Sequence, residues 1–485
     1  MTFRKSCPGV VVLAALAACC SAGAPAPGAA PAAPASAPIL IEGVPHLEQK
    51  PDFCGEACAA MWLRKLGKQV DQDYVFDQSG LDPMLARGCH TDDLAGALRK
   101  IGFKVGDVWR RVDGAKEGAA AAAAAAEWAA LRADLARGVP SIVCMHYDAK
   151  PGASEHFRLV LGYDPKTDEV VYHEPAAADG AYRRMARGKF LEAWPLGGPG
   201  KPGTVIRLRL EAGDLRVTRP PEGLTAADYA QHLMALKKQV PADEGFTIVL
   251  APPFAVVGDE APAMVRRRAS GTVKWAVDQL KAEYFAKDPN VIIDIWLFKD
   301  KDSYESHAKS ILGDEPTTPF GYYSDTHEAL VMNIATGGGT LVHEIVHPFV
   351  RANFPECPAW LNEGLGSLYE QSEEKDGRIH GRTNWRLKGL QEAIRKGKVP
   401  TFEALTATTS HQFYREDRGT NYAQARYLCY WLQEKGLLKR FYHAFYAARK
   451  DDPTGYRTLV EVLGEKDMKA FQERWEKYVL DLRFP

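Results

Sequence analysis

Charge of a single sign is missing from this sequence. Its 61 Lys and Arg are balanced by 62 Asp and Glu, a formal net charge of −1. No basic field exists to hold a nucleic-acid backbone, so nucleic acid is not expected as a partner. Cysteine is sparse: nine in 485 residues are too few for a disulfide scaffold. Long apolar runs are also absent. No stretch beyond the N-terminal segment reaches the length of a membrane-spanning helix. What remains is ordinary globular composition, 46% hydrophobic and 25% charged, which excludes collagenous, fibrous and disordered classes for most of the chain. The length exceeds one typical core.

The N-terminus reads as targeting sequence. Arg4 and Lys5 form a short positive region, and Val10 to Ala18 an apolar one too short to span a bilayer. The segment ends in Leu16-Ala17-Ala18-Cys19, which resembles the bacterial lipobox. The resemblance implies cleavage before Cys19 and a diacylglycerol on its thiol. Residues 1–18 are then a signal peptide, and residues 19–38, almost entirely Ser, Ala, Gly and Pro, a tether with nothing to bury. The expected location is the bacterial cell envelope, lipid-anchored through Cys19. Plain secretion is the alternative.

Folded sequence is expected from Ile39. Residues 54–66 and 92–100 read as helices. The eight alanines Ala119 to Ala126 lead into a longer helix, or an inserted helical arm, stopped at Gly138. Strand-like runs follow at 141–145, 157–163, 170–173 and 205–210. The resulting domain, 39–212, is α+β. Residues 212–223 read as a linker, and 213–244 as linker and connecting helix. In the second domain, 245–485, short strands are expected at 247–250, 254–257, 291–297 and 329–333. From Thr340 onward the pattern is almost entirely helical, with Thr340 as N-cap.

The sharpest signal is His343-Glu344-Ile345-Val346-His347. On a helix, positions i and i+4 share a face and reach one metal ion, while Glu344 is turned about 100° away. Chance would place such a string in this chain roughly 0.02 times, from its histidine content and typical Glu and His frequencies. Trp360-Leu361-Asn362-Glu363-Gly364 follows. A carboxylate inside that apolar stretch has no ordinary packing reason, and a crossing helix could offer Glu363 as third ligand beside an open position. The paired motifs resemble the gluzincin metallopeptidases, the clan of thermolysin and aminopeptidase N, over roughly residues 245–485. The resemblance implies Zn2+ held by His343, His347 and Glu363, with Glu344 as general base. It also implies Tyr422, in Asn421-Tyr422-Ala423, as oxyanion donor, with Tyr414 in reserve; a core-packing tyrosine is the competing reading. Pro348 directly follows the second His and should end or kink the helix. The strand 329–333 could pair with an extended peptide. It lacks the acidic residue that captures a substrate amino terminus, so an endopeptidase is expected.

The first domain carries a second constellation. Cys54-Gly55-Glu56-Ala57-Cys58 opens a helix, where the dipole favours a thiolate. His156 begins an apolar strand and Glu174 ends the next one, so neighbouring strands could bring them together. Gln49 precedes Cys54 by five positions. These pieces resemble papain-like peptidases that process bacteriocin leaders, over about residues 43–200. The resemblance implies Cys54 as nucleophile, His156 as base, Glu174 as orienting acid and Gln49 in the oxyanion hole. Glu174 stands where that family has Asp. A structural disulfide involving Cys54, Cys58 or Cys89 is the competing reading, and Cys58–Cys89 with Cys54 free is favoured.

The reading is an exported zinc-dependent peptidase acting on peptides or proteins, with an added papain-like domain. Two alternatives come from other classes. One is an inactive peptide-binding envelope adaptor. The other is a cysteine-domain amide hydrolase or transferase acting on cell-wall peptides.

Overall fold

A computed structural model describes residues 37–112, 119–148, 154–196, 203–218, 222–324, 326–416 and 419–484. The signal peptide and nearly all of the tether lie outside them. Helices and several sheets mix along the chain, an α+β structure.

The N-terminal part is built on a seven-stranded sheet whose neighbours are all antiparallel. Its longest strand, Glu155–Asp164, shows why both faces are covered. Alternation sends Phe157 and Leu159 into a core with the helix Cys54–Lys65. Val160 and Tyr163 enter a second core, where a register shift between Val160 and Gly162 breaks the alternation. The alanine-rich helix Ala119–Leu135 closes that second face through Ala124, Trp128, Leu131 and Leu135. It is part of the body and not an arm.

The C-terminal part starts with a five-stranded sheet in the order Thr247–Ala251, Phe254–Gly258, Ile293–Phe298, Ala329–Asn333, Gly321–Ser324. The three inner strands are parallel and the outer two antiparallel. Val256, Ile295, Leu330 and Met332 face a large helical core. The alternate residues, Val257, Trp296, Phe298 and Val331, face a smaller one.

That smaller core is completed by Leu233 and Leu236 of the helix Ala226–Gln239. The same helix buries Ala227, Ala230 and Met234 in the core of the Cys54 helix. Its start is fixed by a Thr225–Asp228 capping box. Asp77 Oδ1 accepts from the Ala227 amide at 2.9 Å, and Gln231 Nε2 donates to the Pro51 carbonyl at 2.9 Å. The connecting helix expected within 213–244 thus packs against both parts. Glu211–Ala212 pairs with Phe103–Lys104, and Leu215 and Val217 pack on the N-terminal core. Gly102 has φ +112, and a Cβ there would lie 2.1 Å from the Asp214 carbonyl oxygen, so the two segments meet only because no side chain intervenes.

Several expectations need correction. The helix carrying His343 and His347 runs Gly339–Asn353 with Gly338 as N-cap, so Thr340 lies inside it. It also continues through Pro348. A proline removes one donor, but Ile345, Val346, Phe349 and Val350 are all buried, and that packing outweighs the lost bond. The strand Ala329–Asn333 is paired on both sides and cannot accept another; the open edge belongs to Gly321–Ser324. The helical C-terminal region is interrupted by a hairpin, Ser372–Lys375 with Arg378–Gly381. No described helix is long and apolar enough to cross a membrane.

Leu233 is fully buried, so Leu233→Ala is expected to cost about 2–5 kcal/mol, read as a lowered midpoint in chemical denaturation.

Candidate active sites

The helix Gly339–Asn353 presents His343 and His347 one turn apart, with ring centroids 4.9 Å from each other. The helix Ala359–Tyr369 crosses it and supplies Glu363. The Trp360–Gly366 motif holds glycine where neighbours on two helices press. A Cβ on Gly364 would lie 2.9 Å from Cys429 Sγ on the helix Thr420–Glu434, and one on Gly366 would lie 3.1 Å from His343 Nε2.

His343 Nε2 lies 3.1 Å from Glu363 Oε2, and His347 Nε2 lies 3.9 Å from Glu363 Oε1. One ligand atom from each of the three residues falls within 4.8 Å of the others. Tetrahedral zinc with bonds near 2.1 Å would set its ligands about 3.4 Å apart, so the spacing fits such an ion with small adjustments. The charge fits as well. Glu363 sits on one nitrogen of His343, and Glu370 Oε1 lies 3.0 Å from the other, close but poorly aligned for a hydrogen bond. Burial alone would lower the His343 imidazole; the two carboxylates overcome this and push it up to about 10. Burial likewise opposes ionisation of Glu363, yet His343, His347 and Tyr414 hold its carboxyl at about 2.

The outer partners escaped the sequence reading. Asn362 Oδ1 lies 3.0 Å from His347 Nδ1, a contact that leaves the Nε2 lone pair free when the ring donates. Glu370 is paired with Arg386 at 3.0 Å and accepts from Asn384 at 3.2 Å. The available signal was spacing: Glu370 lies two helical turns beyond Glu363, on the same face. Tyr414 Oη donates to Glu363 Oε1 at 2.7 Å. Tyr422 makes no such bond; its ring lies 6.1 Å from that of Tyr414 and under the Arg386 guanidinium at 5.3 Å. Burial, with the charges of Glu363 and Glu344, pushes the Tyr422 hydroxyl well above its ordinary range, so it keeps its proton at neutral pH.

Two cavities meet at Glu344. One, of about 1070 Å³, also takes in His343, Tyr422 and the Gly337–Thr340 turn. The other, of about 200 Å³, takes in His347, Glu363, Tyr414 and Tyr323. Glu344 therefore lies where an occupant of either cavity would meet the triad.

In the N-terminal part, Cys54 is the first residue of its helix, and its thiol lies against the backbone amide of Phe157. The strand after His156 pairs with Glu169–His173, and Glu174 follows directly. His156 Nε2 and Glu174 Oε1 are 2.5 Å apart, and both side chains are buried. Arg158 Nε donates to the other oxygen of Glu174 at 2.7 Å. Burial disfavours the Glu174 charge, but His156 and Arg158 hold the carboxyl at about 2. Gln49 is anchored by its backbone N–H to the Pro175 carbonyl at 2.9 Å, and its Oε1 is buried without a hydrogen-bond partner among the described residues.

Two expectations fail here. The Cys54 thiol is not acidified. Burial pushes it up to about 12, with Glu56 and Asp52 adding to the rise, and these outweigh the helix N-terminus. Cys58 and Cys89 are free thiols and form no disulfide. Cys58 Sγ faces the Phe157 carbonyl, while Cys89 is held at Glu56, whose Oε1 accepts from the Cys89 amide at 2.6 Å. No hydrogen bond joins Cys54 to His156 among the described residues. The alternation that turns Phe157 toward the Cys54 helix gives His156 and Arg158 the opposite parity.

Residues 41–199 match the model of the Peptidase_C39 like family. This segment is thus similar to a peptidase family, in keeping with the papain-like resemblance of the N-terminal part. No curated protein matched the chain.

Glu174 offers a pH test. A carboxyl at about 2 in the fold against 4.5 without its partners contributes stability in full above 4.5 and loses it as pH falls toward 2. Glu174→Gln is expected to flatten that part of the acid-denaturation profile, and Arg158→Met to move it to higher pH.

Proposed function

We propose that the protein is an exported zinc-dependent peptidase, acting as an endopeptidase through its C-terminal part. The observation that carries the reading is the convergence of His343, His347 and Glu363 beside Glu344 at the meeting of two cavities. His343, His347 and Glu363 would hold the ion. When bound, zinc supplies a Lewis acid that polarises a carbonyl and makes water a stronger acid. Glu344 takes a proton from the attacking water and returns it to the leaving amine. Tyr422, which keeps its proton, donates toward the oxygen that gains charge, and Tyr414 is the reserve for that role. Asn362 and Glu370 orient the two imidazoles. The open edge Gly321–Ser324 is the strand to which an extended peptide could add.

The N-terminal part is read as a second, papain-like site with Cys54 as nucleophile, His156 as base, Glu174 as orienting acid and Gln49 as oxyanion donor. The buried His156–Glu174 pair and the peptidase-family match support it. For turnover the Cys54 thiol would have to reach the imidazole. We further propose that Cys19 carries the lipid that holds the protein in the cell envelope.

Purified protein is expected to hold one zinc per chain. Glu363→Ala should lower that occupancy sharply, measured by elemental analysis. Glu344→Gln should keep the zinc and lose about 10²–10⁴-fold in casein cleavage. Full casein cleavage after chelation, or by Glu344→Gln, would refute the metallopeptidase reading, and Cys54→Ala on that background would report any activity of the second site.

A further inference from the structure

We propose that the larger cleft beside Glu344 is a subsite for a neutral saccharide, so that the peptide taken by this site carries a sugar next to the scissile bond. The proposal rests on the peptidase reading and adds the substrate class.

At about 1070 Å³ the cleft reaches the upper end of the range for whole small-molecule ligands, about 300–1000 Å³. A single side chain would leave most of it wet.

The walls of the cleft are aromatic. Phe320 and Trp385, each 53% exposed, both line this cleft. Exposed rings converging on one concavity mark a binding surface. Flat aromatic faces offer apolar area at low conformational cost, and the C–H face of a sugar ring matches them.

Charge along the cleft is largely paired. Arg386 is neutralised by Glu370 at 3.0 Å and lies over the Trp385 and Tyr422 rings at 5.7 and 5.3 Å. Away from the His343–Glu344 end, the cleft therefore offers no unpaired charge to an ionic substituent. Its other hydroxyl and amide lining is neutral: Thr318 and Thr336 bond the Gly321 and Asn333 carbonyls, while the side chains of Thr272, Thr340, Ser372 and Gln371 make no hydrogen bond within the described residues. A subsite for an apolar side chain would carry aliphatic groups at those positions. Free hydroxyls and an amide in a cleft that also holds exposed aromatic rings suit a polyol. Gly337 lines the cleft with open space where a side chain would stand, so a ring can approach the backbone closely there.

The test uses the full zinc-loaded chain carrying Glu344→Gln, which binds without turnover. Isothermal titration compares a threonine-containing decapeptide bearing one O-linked N-acetylgalactosamine with the same peptide unmodified, and with one carrying Trp in place of the modified residue. The sugar-bearing peptide is expected to bind at least tenfold more tightly than either. Trp385→Ala, and separately Phe320→Ala, should remove most of that difference, with circular dichroism confirming the fold of each. Equal affinities, or preference for the Trp peptide, would overturn the proposal. Zinc content and casein cleavage of the wild-type chain report separately on the peptidase reading. A zinc-bearing, casein-cleaving protein without sugar preference sinks only the saccharide subsite; sugar preference without cleavage sinks the peptidase reading and the placing of the sugar at a scissile bond, and leaves a saccharide-binding cleft.

Discussion

The close crossing of the helices Gly339–Asn353 and Ala359–Tyr369 is the contact on which the C-terminal part depends. It brings a buried carboxylate against a buried imidazole, an arrangement costly in a low-dielectric interior unless charges compensate. Here the compensation is local. Glu363 is engaged by His343, His347 and Tyr414, and Glu370 by His343 and Arg386. Gly366 leaves room for the His343 ring at that crossing, and Gly364 for Cys429 of the helix Thr420–Glu434 packed on the other side. Packing and electrostatics are therefore one constraint: a side chain at Gly366 would press on the ring that Glu363 and Glu370 neutralise.

The same economy appears between the two halves of the chain. The helix Ala226–Gln239 buries one stripe against the N-terminal core and another against the back of the five-stranded sheet. Through Gln231 it also holds the Pro51 carbonyl, in the loop between Gln49 and Cys54. A helix apolar on two sides cannot be left in solvent, so the connection packs and does not swing.

Much of the local structure was readable from sequence because it follows from local causes. The Cys54 helix, the strand 155–164 and the His343 helix arise from apolar periodicity that needs no partner to be seen. Most of the misses share one feature: packing, and not the local pattern, decided them. Pro348 stays helical because the residues around it are buried. The strand 329–333 lost its free edge to Gly321–Ser324, a segment too short to show a period. Thr340 yielded the cap to Gly338. The Cys54 thiol was judged by its place at a helix start, but desolvation by the sheet, seen only in three dimensions, exceeds the dipole effect.

By itself, the sequence determined the chemical inventory: two histidines and a glutamate at metal-binding spacing, a cysteine opening a helix, and a balanced charge that offers nothing to a polyanion. Those follow from residue type and helical period, which are local quantities. Tertiary structure alone decided which groups meet: Glu370 and Asn362 behind the imidazoles, Arg158 on Glu174, Tyr414 on Glu363, and the aromatic cleft next to Glu344. Such contacts join residues far apart along the chain. They depend on how helices and sheets settle to bury their apolar faces, and a linear pattern does not encode that distance.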